Sequence, residues 1–123
     1  MLFRSISQDL QEGLRPFCVV ATLGTTSTTS VDPVDQIAGV CEKYGLWLHV
    51  DGAYAGSAAI LPEMRHMMRG VERADSFVMN PHKWLLTPKD LSAFFCRRPE
   101  VLKEALSLVP DYLKTPEDAE VTN

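Results

Sequence analysis

Cysteine is scarce in the 123 residues: Cys18, Cys41 and Cys96 are odd in number, widely spaced and set among apolar neighbours. That pattern excludes a disulfide scaffold and reads as free thiols buried for packing. Clusters of lysine or arginine are absent, and the formal net charge is −4, which argues against an extended nucleic-acid or anionic-membrane surface. Long apolar runs are also missing. Stretches such as "PFCVVATLG" fall far short of the ~20 residues that span a bilayer. The opening "MLFRSISQDLQEGL" has no long apolar region of the secretory kind. A cytoplasmic location is the resulting expectation. His49 and His82 show no H-x-x-x-H spacing, so no metal site is expected from them.

What is present suits one small hydrophobic core: 46% of the residues are hydrophobic and 23% charged. "SISQDLQEGL" carries Ile6, Leu10 and Leu14 at helical spacing and predicts a helix over 3–13 that ends near Gly13. "PFCVVATL" is a continuous β-branched run, the pattern of a strand buried on both faces. After the hydroxyl-rich "GTTSTTS", the segment "VDPVDQIAGVCEKYG" predicts a helix with Asp32 as N-cap and Pro33 at its first position. Its apolar face is Val34, Ile37, Ala38 and Cys41, and Gly45 falls just past its end. "LWLHV" then reads as a buried strand ending at Asp51. Strand, helix, strand in this order is a βαβ crossover, so an α/β fold with a mostly parallel sheet flanked by helices is expected. Further on, "PEMRHMMRGVERA" suggests a short helix, "DSFVM" and "LSAFFCR" strands, and "RPEVLKEAL" a helix. The segment 1–115 reads as one partial domain, and the polar 116–123 as a loose tail.

In open α/β sheets ligands sit beyond the carboxyl ends of the strands. Gly24, Thr25 and Thr26 follow the first strand, Asp51 ends the second, and Lys83 follows the third. Each has an ordinary structural reading. Asp51 before Gly52 is a common turn residue, Lys83 could extend its ammonium past Trp84 to water, and both histidines could be structural. Together they match one chemistry. Pyridoxal phosphate catalysis needs a lysine to hold the cofactor and a carboxylate to keep its pyridine nitrogen protonated. Small residues beside the carboxylate, Gly52 and Ala53, would admit a flat ring. An apolar wall of Trp84, Leu85 and Leu86 would favour the neutral, nucleophilic amine of Lys83.

"ATLGTTSTTSVDP", "HVDGAYAGSA" and "ADSFVMNPHKW", in this order, resemble the group II pyridoxal-phosphate-dependent amino acid decarboxylases. The aromatic amino acid branch is nearest, with plant tyrosine or tryptophan decarboxylase character, and the likeness covers roughly residues 5–115. It implies part of a fold-type I large domain, pyridoxal 5'-phosphate as cofactor, an aromatic amino acid as substrate and a homodimer. It further implies that Lys83 is the Schiff-base lysine and that Asp51 partners the pyridine nitrogen. Ala53 would touch the ring face, and Thr26 would lie near the phenolic oxygen and the substrate carboxylate. Asn80 and His82 would sit around the phosphate or the lysine. "LVPDYLKT" resembles the start of the family's catalytic loop, where Tyr112 occupies the tyrosine position associated with protonating the substrate carbon. That residue favours decarboxylation over the oxidative, aldehyde-forming chemistry associated with phenylalanine there. Gly52 departs from the family's usual alanine.

Members of this family are several times longer. The resemblance therefore also implies that the chain is a truncated form, without the upstream imidazole that stacks on the cofactor or the phosphate-binding Ser/Thr turn. Rival expectations are an inactive piece with a structural or regulatory role, an aromatic aldehyde synthase, and a glutamate-type decarboxylase.

Overall fold

The computed structural model describes residues 2–107, with side chains from Arg4 onward. Tyr112 and the segment 116–123 lie outside the described residues. The helix α1 (Leu2–Gln11) leads into strand β1 (Cys18–Thr22), helix α2 (Val34–Tyr44) and strand β2 (Trp47–Gly52). Three short 3₁₀ segments, Gly56–Ile60, Pro62–Met68 and Val71–Arg73, then lead to strand β3 (Ser76–Met79) and the single-turn helix α3 (Pro81–Trp84). Strand β4 (Ala93–Cys96) and helix α4 (Pro99–Leu106) follow. The sheet order is β1-β2-β3-β4, with β1, β2 and β3 parallel and β4 antiparallel to β3. The mostly parallel α/β sheet expected from the sequence is therefore present.

The core forms where α2 covers one face of the sheet. Alternation along β2 buries Leu48, Val50 and Gly52 on that face, against Val34, Ala38 and Cys41 of the helix. Leu23, Leu48, Val34 and Val50 are the largest wholly buried side chains, and burying each contributes about 1.5–3 kcal/mol. Helix α2 ends as its sequence demands: Gly45 takes a left-handed φ of 64° and its N–H donates to Cys41 O. The cysteines are free, as expected, though only Cys41 is fully buried. Burial pushes the Cys18 and Cys41 thiols above their ordinary range.

Four expectations need correction. Asp32 does not cap α2; its carboxylate accepts from Thr22 N–H at 2.8 Å, and Pro33 is the cap residue. The backbone of Asp32 also donates to Thr22 O at 2.9 Å, so this residue clamps the β1–α2 loop at its neck. Strand β1 is not buried on both faces. Val20 is 60% exposed and Phe17 82%, because β1 is the sheet edge and no described helix covers its outer face. In α1 only Ile6 of the apolar stripe is buried, while Leu10 and Leu14 stay exposed. The segment 62–74 is 3₁₀ rather than α-helical, and is broken at Gly70 with φ of 91°. A Cβ at Gly70 would lie 2.4 Å from Asp35 N, so this segment needs a glycine where it crosses the first turn of α2.

Arg73 locks that crossing. Its guanidinium donates to Asp35 Oδ1 and Glu42 Oε2, both at 2.6 Å, joining two turns of α2 to the last 3₁₀ segment. The hydrogen bond from Arg73 holds the Glu42 carboxyl below its ordinary 4.5. A carboxylate lowered in the folded state stabilises the protein above its unfolded pKa and loses that contribution as pH falls through the folded value. Glu42→Gln is thus expected to lower the melting temperature at neutral pH, with the gap from wild type closing as pH drops below about 4.5. Paired melting curves from pH 7 to pH 3 measure this; a gap independent of pH would refute it.

Candidate functional site

Three loops meet at the carboxyl ends of β1, β2 and β3, the end of a parallel sheet where binding sites form. The first is the hydroxyl-rich run 24–30, which folds onto itself. Gly24 N–H and Thr25 N–H both donate to Ser30 O, at 2.9 and 3.1 Å. Thr28 Oγ1 hydrogen-bonds Thr25 Oγ1 at 2.8 Å and Ser30 Oγ at 2.7 Å. Small hydroxyl residues suit such a loop because they satisfy one another over short distances. Thr26 makes no side-chain hydrogen bond among the described residues and stands exposed on the loop.

The second loop follows β2. Asp51 Oδ1 accepts from Ala53 N–H at 2.9 Å, the turn expected of an aspartate before glycine. Its Oδ2 takes no hydrogen bond among the described residues, so the carboxylate fixes its own turn and still has an acceptor to offer. The third loop carries Lys83 on α3, whose backbone is held by Lys83 N–H to Asn80 O at 3.0 Å and Leu85 N–H to Pro81 O at 2.9 Å.

These loops enclose a cavity of about 60 Å³ lined by Thr22, Gly24, Thr25, Thr26, Asp51, Ala53, Tyr54 and Lys83. Four sequence-derived candidates, Thr26, Asp51, Ala53 and Lys83, therefore share one wall. Asp51 and Lys83 do not pair with each other: the ion pairs of Arg69, Arg73 and Arg98 go to Asp35, Glu42 and Asp75. An acceptor and an amine thus face one space with their charges uncommitted. The volume is well below the ~300–1,000 Å³ of sites that enclose a whole small-molecule ligand, so the described cavity does not enclose such a ligand by itself.

Asn80 and His82 are turned elsewhere. Asn80 Oδ1 accepts from Ser92 Oγ at 2.7 Å, and His82 Nδ1 lies 2.7 Å from Leu91 O and 3.2 Å from Leu91 N. Both fasten the loop that returns from α3 to β4. The apolar wall expected around Lys83 is not closed: Trp84 is 42% and Leu86 99% exposed, and Lys83 itself is exposed. Gly52 also differs from expectation. A Cβ there would lie 2.7 Å from Phe77 Cε2 on the helix-covered face, so its small size serves the packing of Phe77. Of the two small residues after Asp51, only Ala53 lines the cavity. Tyr54 carries no signal in the sequence, and Trp84 is expected there only as part of the apolar wall beside Lys83. Tyr54 lines the cavity, and its ring meets that of Trp84 edge-on, with centroids 5.3 Å apart and planes at 81°.

A βαβ sheet with an amine and a carboxylate gathered at its carboxyl edge defines an α/β protein with polar groups at the end of the sheet where such folds bind ligands. The chain belongs to the pyridoxal-dependent decarboxylase family, whose conserved domain matches residues 1–123. Aromatic-L-amino-acid decarboxylase of Manduca sexta is 53% identical over 113 residues, 92% of this chain and 22% of that protein. Phenylacetaldehyde synthase of a Rosa hybrid cultivar is 50% identical over 114 residues, 93% of this chain and 22% of that protein. The crystal structure of Oryza sativa TDC with PLP and tryptamine superposes with a TM-score of 0.85 at 46% identity, covering 98% of this chain and 25% of that one. The sheet and its helices are accordingly part of the fold-type I architecture. The chain spans about a fifth of the length of the curated relatives it matches. Among the described residues no helix is long and apolar enough to cross a membrane.

Proposed function

We propose that the chain carries part of the site of a pyridoxal 5'-phosphate-dependent decarboxylase acting on an aromatic L-amino acid (tyrosine, dopa or tryptophan), with residues 1–115 belonging to the cofactor-binding large domain. The observation that carries this reading is the shared cavity of Thr26, Asp51, Ala53 and Lys83. The donor set fits the cofactor: an uncommitted amine for its aldehyde, a carboxylate oxygen for its pyridinium and a methyl group for its ring face. A homodimer and a cytoplasmic location go with the reading, through the family likeness.

When bound, the cofactor supplies an electron sink for the pair left behind as carbon dioxide departs. In this reading Lys83 Nζ binds the cofactor covalently, after giving up the proton that would block its lone pair. Asp51 Oδ2 holds a proton on the ring nitrogen, since a neighbouring anion favours the cationic form. Ala53 limits how closely the ring approaches the backbone, and Thr26 orients the substrate carboxylate through its hydroxyl. Asn80 and His82 act indirectly, by fixing the loop that carries Lys83, or at the phosphate. Tyr112 is assigned the proton that replaces carbon dioxide on the substrate's α-carbon.

A second reading has specific support, because the Rosa relative at 50% identity is an aldehyde synthase. Product analysis separates the two. The chain is loaded with pyridoxal 5'-phosphate and offered tyrosine, dopa, tryptophan and glutamate in turn. Where the loaded chain turns over, amine with carbon dioxide is the expected product from the aromatic substrates. Aldehyde with peroxide and ammonia would favour the synthase, and turnover of glutamate alone would overturn the aromatic assignment. If no cofactor is retained, the chain is a non-catalytic piece.

A further inference from the structure

Lys83 makes no ion pair, and its side chain no hydrogen bond, among the described residues, and it sits on a helix of only four residues, Pro81–Trp84. One turn of helix does not hold itself, because nucleation fixes several backbone dihedrals for a single hydrogen bond. Asn80 offers no side-chain cap to that turn, its amide oxygen being taken by Ser92. The position of the amine therefore depends on what α3 packs against.

Two sets of contacts hold α3. On one side His82 and Asn80 fasten it to Leu91 and Ser92, toward β4. On the other, Trp84 presents its ring edge-on to Tyr54 at 5.3 Å. Tyr54 follows Ala53 directly and lines the cavity with Asp51. The aromatic pair thus ties the lysine helix to the loop that holds the carboxylate. Edge-to-face geometry adds direction to the contact, since the positive ring edge seeks the negative face and resists sliding.

We infer that Tyr54 and Trp84 form a positioning clamp that keeps Lys83 Nζ facing the Asp51 side of the cavity. In this role Trp84 acts through the adjacent Lys83, and Tyr54 acts through Trp84. The inference rests on the cofactor reading above, and its test separates the two.

The test measures capture of pyridoxal 5'-phosphate by the 123-residue chain, without any substrate. Condensation of an amine with the aldehyde expels one water, and hydride from borohydride then reduces the C=N bond to a stable secondary amine. Peptide mapping by mass spectrometry reads the labelled fraction at Lys83, with Lys43, Lys89 and Lys103 as internal references. Trp84→Leu keeps apolar bulk and removes the edge-to-face contact; it is expected to lower labelling at Lys83 about three- to tenfold at sub-saturating cofactor. Trp84→Phe should restore most of it, and Tyr54→Leu should repeat the loss from the other side of the clamp. Equal labelling of Trp84→Leu and wild type would overturn the clamp while leaving the cofactor reading intact. A loss spread evenly over all the lysine peptides, with a lowered melting temperature, would mark general unfolding and overturn it too. Absence of any preference for Lys83 in the wild-type chain would instead sink the cofactor reading itself.

Discussion

Replacing Lys83 by alanine is expected to abolish retention of pyridoxal 5'-phosphate while leaving the fold intact. Both halves follow from where the residue stands. Lys83 is exposed and contributes no described ion pair or side-chain hydrogen bond. Surface substitutions of this kind stay within about 0.5 kcal/mol of wild type. The melting curve of the variant should therefore overlay that of the wild type. Covalent retention, by contrast, requires a primary amine beside the cavity, and among the described residues no other lysine lines it. Lys83→Arg sharpens the test, because a guanidinium keeps the positive charge yet does not deprotonate to attack an aldehyde. If Lys83→Arg retains cofactor after gel filtration as well as wild type does, the role of Lys83 is electrostatic and the covalent assignment is wrong. If Lys83→Ala retains it too, the site lies elsewhere.

Much of the fold was legible because its signals are local. A β-branched run of strand length, a stripe at Val34, Ala38 and Cys41, and a glycine at position 45 each specify one element without reference to distant residues. What covers an element was not legible. The continuous run "PFCVVATL" reads as buried on both faces, but Val20 and Phe17 are exposed because no described helix covers that side of the sheet. The break at Gly70 had no local signal for a similar reason: it lies where the chain approaches Asp35, 35 residues away in sequence.

The candidate site shows the same division. Asp51, Lys83 and Thr26 could be brought together on paper because parallel strands place their carboxyl-end loops on one edge. The orientation of Gly52 was also available in principle. Side chains alternate along β2, so positions 51 and 52 face opposite sides, and Gly52 falls on the face packed by Phe77. Its proximity to the aspartate in sequence obscured this. The contact of Tyr54 with Trp84 had no such signal, since it joins two loops through ring geometry that no spacing rule encodes.

Gly24→Ala is expected to be the most damaging single methyl group in the described site. Gly24 lies just beyond β1 with φ of 78°, and an added Cβ would lie 2.2 Å from the Cβ of Ala55 and 3.4 Å from its Cα. Two separate penalties follow. Forcing an L-residue into the left-handed region costs about 1–2 kcal/mol, and overpacking a buried contact adds about 1–3 kcal/mol. The sum, about 2–5 kcal/mol, is a large share of the ~5–15 kcal/mol that holds a typical domain. A fall of roughly 10 °C or more in melting temperature is the corresponding readout. The steric part can be isolated, because Ala55→Gly removes the atom that is struck. Alone, that change costs about 0.5–1 kcal/mol through backbone freedom; combined with Gly24→Ala it should recover the overpacking penalty and leave the backbone strain. The double-mutant cycle is thus expected to show coupling of about 1–3 kcal/mol. Additive effects would mean that β1 and the loop after Asp51 do not touch as described. The proposed cofactor site should suffer in parallel, since Gly24 lines the cavity and Ala55 directly follows Tyr54, which lines it too. Cofactor retention that fails in Gly24→Ala at temperatures where the chain is still folded, and returns in the double variant, would tie this glycine to the shape of the site as well as to stability.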